Sequence, residues 1–472
     1  MNNSNHNSET IFSLYQSYLK IIIPAIILSV IGVYLSKEYA VYFLLALNFI
    51  LILSIVFLST DINIVVILLA ANFIPLGFLN NNFHYTLKWI IIQDIPLFFL
   101  FLISVSQYVL KEKKIELRYD GMFGPLIALT LYSFLSAFLG YLNKNNFTLI
   151  VDELYHFLYY SFAIVLFYLI KERRDYQKIF TVIIAISVLV SIQYILLKGF
   201  FNLNRVVTFQ SGLLLFPLSY FISKLLIQKK KDFLIKIIYL VLSVIVIIGL
   251  FVTLTRSLWI SAILSMTVIF IMYMVIIRGI RLKSILFYLI LLITPIVWFG
   301  LNATFQSSAN STSDQEIEYR AKSIANPTED SPLLMRVELG FYIYNKFIES
   351  PIVGKGLGDY VQYKILSKNK ANINYPDNSW IFFLWKGGVI GFLIYLWVLI
   401  VLFKQSIFVL KNSDNTKVKI LMLSIIGTLA GLILYSQFTA FLIKYKSDVV
   451  FSLIIAYTIF EFDKLKRKSE SN

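Results

Sequence analysis

The chain has 472 residues, 58% of them hydrophobic, a mean hydropathy of +0.78 and a formal charge of +16. That apolar content exceeds the ~45–50% of soluble domains and excludes an ordinary water-soluble fold. The absence of cysteine excludes disulfides and thiolate metal sites, and three histidines are too few for a histidine-rich metal centre.

The apolar runs are about 20 residues long and apolar all round, which suits helices crossing a ~30 Å hydrocarbon layer. No run alternates in the short segments that a transmembrane barrel requires. The predicted fold class is therefore all-α, a polytopic membrane helix bundle of about 14 spans. The polar start, Met1 to Thr10, leads into the first run with no small-residue cleavage site after it, so no cleavable signal peptide is expected. Spans are predicted to begin near Ile21, Val41, Ile64, Trp89, Phe123, Leu154, Thr181, Val206, Phe233, Leu258, Leu286, Ser379, Leu421 and Val449. Thr253 to Ser257 forms a tight turn between the ninth and tenth. The expected layout is an arm over 1–20, eleven spans over 21–302, a long polar loop over 303–378, three spans over 379–461 and a tail over 462–472.

Charge sets the direction. With both termini placed in the cytoplasm, 25 of the 42 lysines and arginines fall on that side and nine on the short external segments and within the twelfth span; the other eight lie in the long loop. This is the positive-inside pattern, and it predicts a multi-pass membrane protein whose long loop faces the periplasm or the cell exterior. The net charge is then an orientation signal. No soluble basic surface remains to bind nucleic acid.

The same count leaves arginines where cations are disfavoured. Arg205 precedes the eighth span, Arg256 sits in the tight turn, and Arg336 lies in the long loop. A guanidinium near an outer membrane face either snorkels or pairs with an anion. Three of them flanking one region favour an anion site, because guanidinium grips diphosphate oxygens bidentately. No acidic cluster suited to a metal is evident, and neither metal nor cofactor is expected.

Within the loop, Ser331 and Pro332 supply an N-cap and a first-turn residue for a helix over Leu333 to about Ser350. Val337, Phe341, Tyr344 and Ile348 form one apolar stripe, with Arg336 and Gly340 on another face. The helix is expected to lie on the outer surface of the bundle. Gly354, Gly356 and Gly358 then alternate, a pattern that permits tight turns and can present N–H groups to an anion. Asp377 and Asn378 open the twelfth span. Asp377 is placed for general-base work on a hydroxyl or, alternatively, for capping the helix. His156, beside Asp152 and Glu153 at the end of the sixth span, is a second candidate base.

Three blocks in order resemble the O-antigen ligase and O-antigen polymerase superfamily. They are RVVTFQSGLLLFPLSY (Arg205 to Tyr220), LTRSLWISAILS (Leu254 to Ser265), and RVELGFYIYNKFIESPIVGKGLGDY followed by DNSWIFFLWKGGVIGFLIYL. One departure is that Asp377-Asn378 stands where that family commonly has His-Asn. The resemblance implies a glycosyltransferase that moves a glycan from an undecaprenyl-diphosphate carrier to an acceptor glycan hydroxyl, in surface polysaccharide assembly. Polymerase is favoured over the ligase that attaches polymer to a lipid A core, because the family histidine is the usual mark of the ligase. The implied partners are the lipid-linked glycan, the acceptor glycan or lipid A core, the bilayer, and chain-length regulator and flippase proteins. In this reading Asp377, Arg256 and Arg336 are catalytic, while Arg205, Asn378, Gly354, Gly356 and His156 bind substrate. The alternative from another class is a lipid-linked oligosaccharide transporter, which calls for internal repeats and charges at the bilayer midplane. No repeat is visible, and only Asp94 and Lys386 stand clearly within spans.

Overall fold

The computed structural model describes residues 121–170, 172–201, 211–228, 233–278, 331–364, 370–373, 375–439 and 447–470. The expected spans at Ile21, Val41, Ile64, Trp89 and Leu286, and the start of the one at Val206, lie outside these residues. The chain divides into two compact units. Residues 172–190 are the described part of one, and the remaining described residues belong to the other.

The described helices are α1 (Phe123–Leu142), α2 (Phe147–Leu169), α3 (Arg173–Phe201), α4 (Leu215–Ile227, led by a 3-10 turn, Ser211–Leu214), α5 (Phe233–Val252), α6 (Arg256–Met272), α7 (Ser331–Ile348), α8 (Ser379–Asn412), α9 (Thr416–Tyr435) and α10 (Ser447–Glu470). Seven of them, α1, α2, α3, α5, α6, α8 and α9, are long and apolar enough to cross a membrane. Predicted and observed starts coincide at Phe123, Phe233 and Ser379. The sixth span starts at Phe147, seven residues before the predicted Leu154, because the Asn146 carboxamide caps it through the N–H groups of Thr148 and Leu149. The tight turn is present: α5 ends at Val252 and α6 starts at Arg256, with the Trp259 indole donating back to the Leu250 carbonyl at 3.1 Å.

Small residues set the close packing of the larger unit, as expected where lipid offers no hydrophobic drive between helices. On α9, a Cβ at Gly427 would collide with Ile269 of α6, and one at Gly431 would crowd the Ser261 carbonyl. Ser219 of α4 bonds Ser265 of α6 at 2.8 Å. The expectation of an all-α protein meets one departure: β1 (Val361–Lys364) and β2 (Lys370–Ile373) pair antiparallel, with Val361 opposite Ile373.

α8 runs for 34 residues but breaks at Gly388, whose φ of 59° is outside the helical region. A break leaves backbone groups without helical partners, which hydrocarbon cannot satisfy. The segment after α7 supplies them. Val389 and Ile390 donate to the carbonyls of Pro351 and Ile352 at 2.9 and 3.2 Å, while Lys355 and Gly356 donate to the carbonyls of Trp385 and Lys386 at 3.0 and 3.1 Å. The Tyr132 hydroxyl of α1 donates to the Gly387 carbonyl at 2.5 Å.

A candidate functional site at the mouth of α8

Asn378 caps α8. Its side-chain oxygen accepts from the N–H groups of Trp380 and Ile381 at 2.8 and 3.1 Å. The carboxylate of Asp377 is thereby left out of the cap and turns to α7. Arg336 Nε donates to Asp377 Oδ2 at 3.1 Å. The two side chains are 39% and 59% exposed. A pair this exposed adds little stability, ~0–1 kcal/mol. The bond uses only Nε, so the terminal amino groups of Arg336 and the second oxygen of Asp377 take no part in it.

Both residues line a cavity of about 530 Å³ between α7, the 376–378 segment, the first turns of α8 and Gln437–Phe438. Its remaining wall is mostly apolar, with Val337, Phe341, Tyr344, Ile381, Leu384 and Phe438. The site is therefore amphipathic, with a guanidinium, a carboxylate and a carboxamide at one side of a greasy groove. Its size falls in the ~300–1,000 Å³ range of ligand sites. Arg336 and Gly340, expected on a separate face from the apolar stripe, line this groove together with Val337, Phe341 and Tyr344 of that stripe. A Cβ at Gly340 would meet nothing within 4 Å, so this glycine keeps the groove open and serves no close helix contact.

The predicted apolar stripe of α7 is not its packing face. Val337, Phe341, Tyr344 and Ile348 are 50–66% exposed. The seat is instead Ile343, buried against Trp385 and Val361, with Leu339 and Ile381 beside it. Such an exposed apolar face is expected where lipid, and not water, is the neighbour.

Beneath this seat lies a buried polar brace. Lys386 Nζ of α8 meets Glu153 Oε1 of α2 at 2.8 Å, with the side chains 1% and 0% exposed. Lys386 also donates to the Asp359 carbonyl. Glu153 Oε2 accepts from Gly358 N–H at 2.7 Å. Asp359 receives the Trp385 indole N–H at 2.9 Å and pairs with Lys346 of α7 at 3.6 Å. This brace ties α2, α8 and the glycine turn to α7.

The glycine turn does a different job from the one its pattern suggested. Gly354, Gly356 and Gly358 all have φ near +75° to +78°. Their amides donate to the carbonyls of Ser350 and Lys386 and to the carboxylate of Glu153. For Gly354 and Gly356 the expected anion cradle gives way to backbone contact: a Cβ at either would sit 2.4 or 2.3 Å from main-chain atoms of Lys386 or Gly140. Asn378 likewise spends its side-chain oxygen on the helix cap, leaving only its amide N–H groups for a ligand.

His156 is held apart from the groove. Its Nδ1 is 2.8 Å from Asp448 Oδ2 of α10. Tyr375 connects the two places. Its hydroxyl donates to Asp152 at 3.0 Å, and its ring stacks on Phe382 and meets the His156 ring edge-on at 6.2 Å. Burial, and then the carboxylates of Glu153 and Asp152, push the Tyr375 phenol well above its ordinary range, so it stays a donor. Asp377 is two residues further along the same segment.

Arg256 begins α6. Gly431 of α9 lies against Ser261 and Gly427 against Ile269, so α6 and α9 run antiparallel and Arg256 shares an end with Ser436. Ser379 N–H donates to the Ser436 carbonyl at 2.9 Å, which puts the start of α8 at that end too. Arg256 is half-buried there, outside the lining of the Arg336–Asp377 cavity. Arg205 lies outside the described residues. Among the described residues no group of three or more His, Asp and Glu side chains is placed to hold a metal ion.

Residues 241–396 match the family model described as O-antigen ligase. That match supports a likeness to the O-antigen ligase/polymerase superfamily. The matched third of the chain contains Arg256, Arg336, Asp377 and Asn378, whereas His156 and Arg205 fall before it. No curated protein matches the chain. The match, with the seven apolar helices, supports a membrane protein of the O-antigen ligase/polymerase type.

The sequence pattern missed Glu153 as the partner of Lys386, and missed the break at Gly388. A signal was present for both. A lysine inside an apolar span demands a counter-charge, and two glycines directly after it mark a helix interruption.

Proposed function

We propose that this O-antigen ligase/polymerase relative transfers a glycan from an undecaprenyl-diphosphate carrier to an acceptor glycan hydroxyl at the outer face of the inner membrane, with polymerisation favoured. The observation that carries the reading is Arg336 against Asp377 at one side of an apolar groove. An amphiphilic donor has the same division, a prenyl chain next to a charged diphosphate.

In the proposed reaction Asp377 accepts the proton of the acceptor hydroxyl. The new bond forms from that oxygen to the anomeric carbon, and the bond from that carbon to the diphosphate oxygen breaks. The leaving diphosphate takes the electron pair. The terminal amino groups of Arg336 stabilise its charge, with Arg256 and Arg205 as the further cations of this scheme. Attack opposite the leaving group inverts the anomeric centre. The chemistry needs no metal or cofactor in this scheme.

Deletion of the gene followed by gel analysis of surface polysaccharide tests the reading. Loss of the ladder with single repeats still attached identifies a polymerase. Loss of all attached glycan with lipid-linked chains accumulating identifies a ligase. An unchanged polysaccharide overturns both. NMR of the product linkage tests inversion, and retention refutes it.

A further inference from the structure

α7 borders a second, separate cleft on its other side. It has about 580 Å³ and is lined by polar residues: Lys144 and Asn145 after α1, Tyr342, Asn345, Lys346 and Glu349 of α7, and Asp359 to Gln362. It shares no lining residue with the Arg336–Asp377 groove. The two differ in chemistry, because α7 turns residues 336, 340, 344 and 347 to the groove and 342, 345, 346 and 349 to the cleft.

Polar contacts tie the cleft walls together. Asn145 donates its amide to the carbonyls of Lys355 and Leu357 at 3.1 and 2.9 Å. Lys346 pairs with Asp359 at 3.6 Å and Lys355 with Glu349 at 2.5 Å. These pairings also cancel most of the local charge, so the cleft does not select an anion. Among the described residues, the side chains of Asn345, Tyr360 and Gln362 have no hydrogen-bond partner, while the Tyr342 ring is 46% exposed. Planar amides and tyrosines on a fixed frame suit a ligand with many hydroxyls and apolar C–H faces, and a preformed frame lowers the cost of binding it.

We propose that this cleft binds an uncharged stretch of glycan chain several sugars from the reacting end. The inference rests on the glycan-transfer reading above and adds where the chain is held. Arg336 and Asn345 are nine residues apart on α7, about 13 Å of helix axis. A chain beginning at the diphosphate must therefore extend over several rings before reaching Asn345.

The test uses full-length protein in detergent micelles and, as probe, oligosaccharide released by mild acid from the producing cells' own polysaccharide, free of lipid and diphosphate. Saturation-transfer NMR measures its binding. The wild type is expected to bind, and the double variant Asn345→Ala/Gln362→Ala, altered at two exposed positions, to bind about tenfold more weakly while eluting as a single folded peak. Arg336→Ala is expected to bind this probe like the wild type while losing transfer. Absence of binding by the wild type, equal binding by the double variant, or loss of binding in Arg336→Ala alone would each overturn the proposal. Full transfer by Arg336→Ala would instead sink the transfer chemistry and leave the binding result standing.

Discussion

Lys386 and Glu153 come from spans 233 residues apart and meet at 2.8 Å with almost no solvent access. Removing one partner strands a buried charge, which costs ~3–5 kcal/mol, whereas neutralising both is far milder. The single variants Lys386→Met and Glu153→Gln are expected to lower the melting temperature of the solubilised protein sharply. The double variant should recover much of that loss. Thermal unfolding followed by size-exclusion fluorescence measures it, and equal damage in all three would mean that the pair is not coupled.

Arg336 and Asp377 form a pair of the opposite kind, open to solvent and of little structural value. Arg336→Ala and Asp377→Ala should insert and melt like the wild type. Transfer should fall by ~10²–10³, in the range for losing a group that stabilises developing charge at Arg336 and an acid–base group at Asp377. Arg336→Lys should recover little, since a lysine cannot grip two oxygens at once. In-cell polysaccharide ladders and protein levels read together make the check.

Gly340 and Gly354 should behave oppositely. Ala at Gly340 meets open space and is expected to be silent, while Leu there should fill part of the groove and lower transfer at normal protein levels. Gly354→Ala combines a φ of +75° with a Cβ 2.4 Å from the Lys386 carbonyl oxygen, so the protein should fail to accumulate. Immunoblots of membrane fractions separate these outcomes.

His156 and Asp377 are rival bases. His156 is fixed by Asp448, a geometry that would suit a general base, but it lies outside the groove. The site assignment predicts that His156→Gln keeps at least a tenth of wild-type transfer while Asp377→Asn drops ~10²-fold, within the range for a lost acid–base group. The reverse order, measured with purified protein and lipid-linked donor, would move the base to His156.

Much of this was legible from local pattern. The helix start at Ser331-Pro332, the tight turn before Arg256 and three span starts follow from capping, periodicity and hydropathy, which act over a few residues. Periodicity marked the α7 stripe as apolar without saying what covers it. In a membrane protein that face can meet lipid while a narrower one, centred on Ile343, meets protein.

The sequence by itself determined a helical membrane protein and the residues that carry charge beside its longest polar segment. Only the tertiary structure decided which of them meet. Asn378 took the helix cap and released Asp377 to Arg336, the glycine turn closed on the broken α8 and gave up its amides, and Glu153 answered Lys386. Apart from the local Asn378 cap, each of these is a contact between segments far apart along the chain. Its partner is set by which backbones approach closely enough to need one another's donors, and no local pattern encodes that.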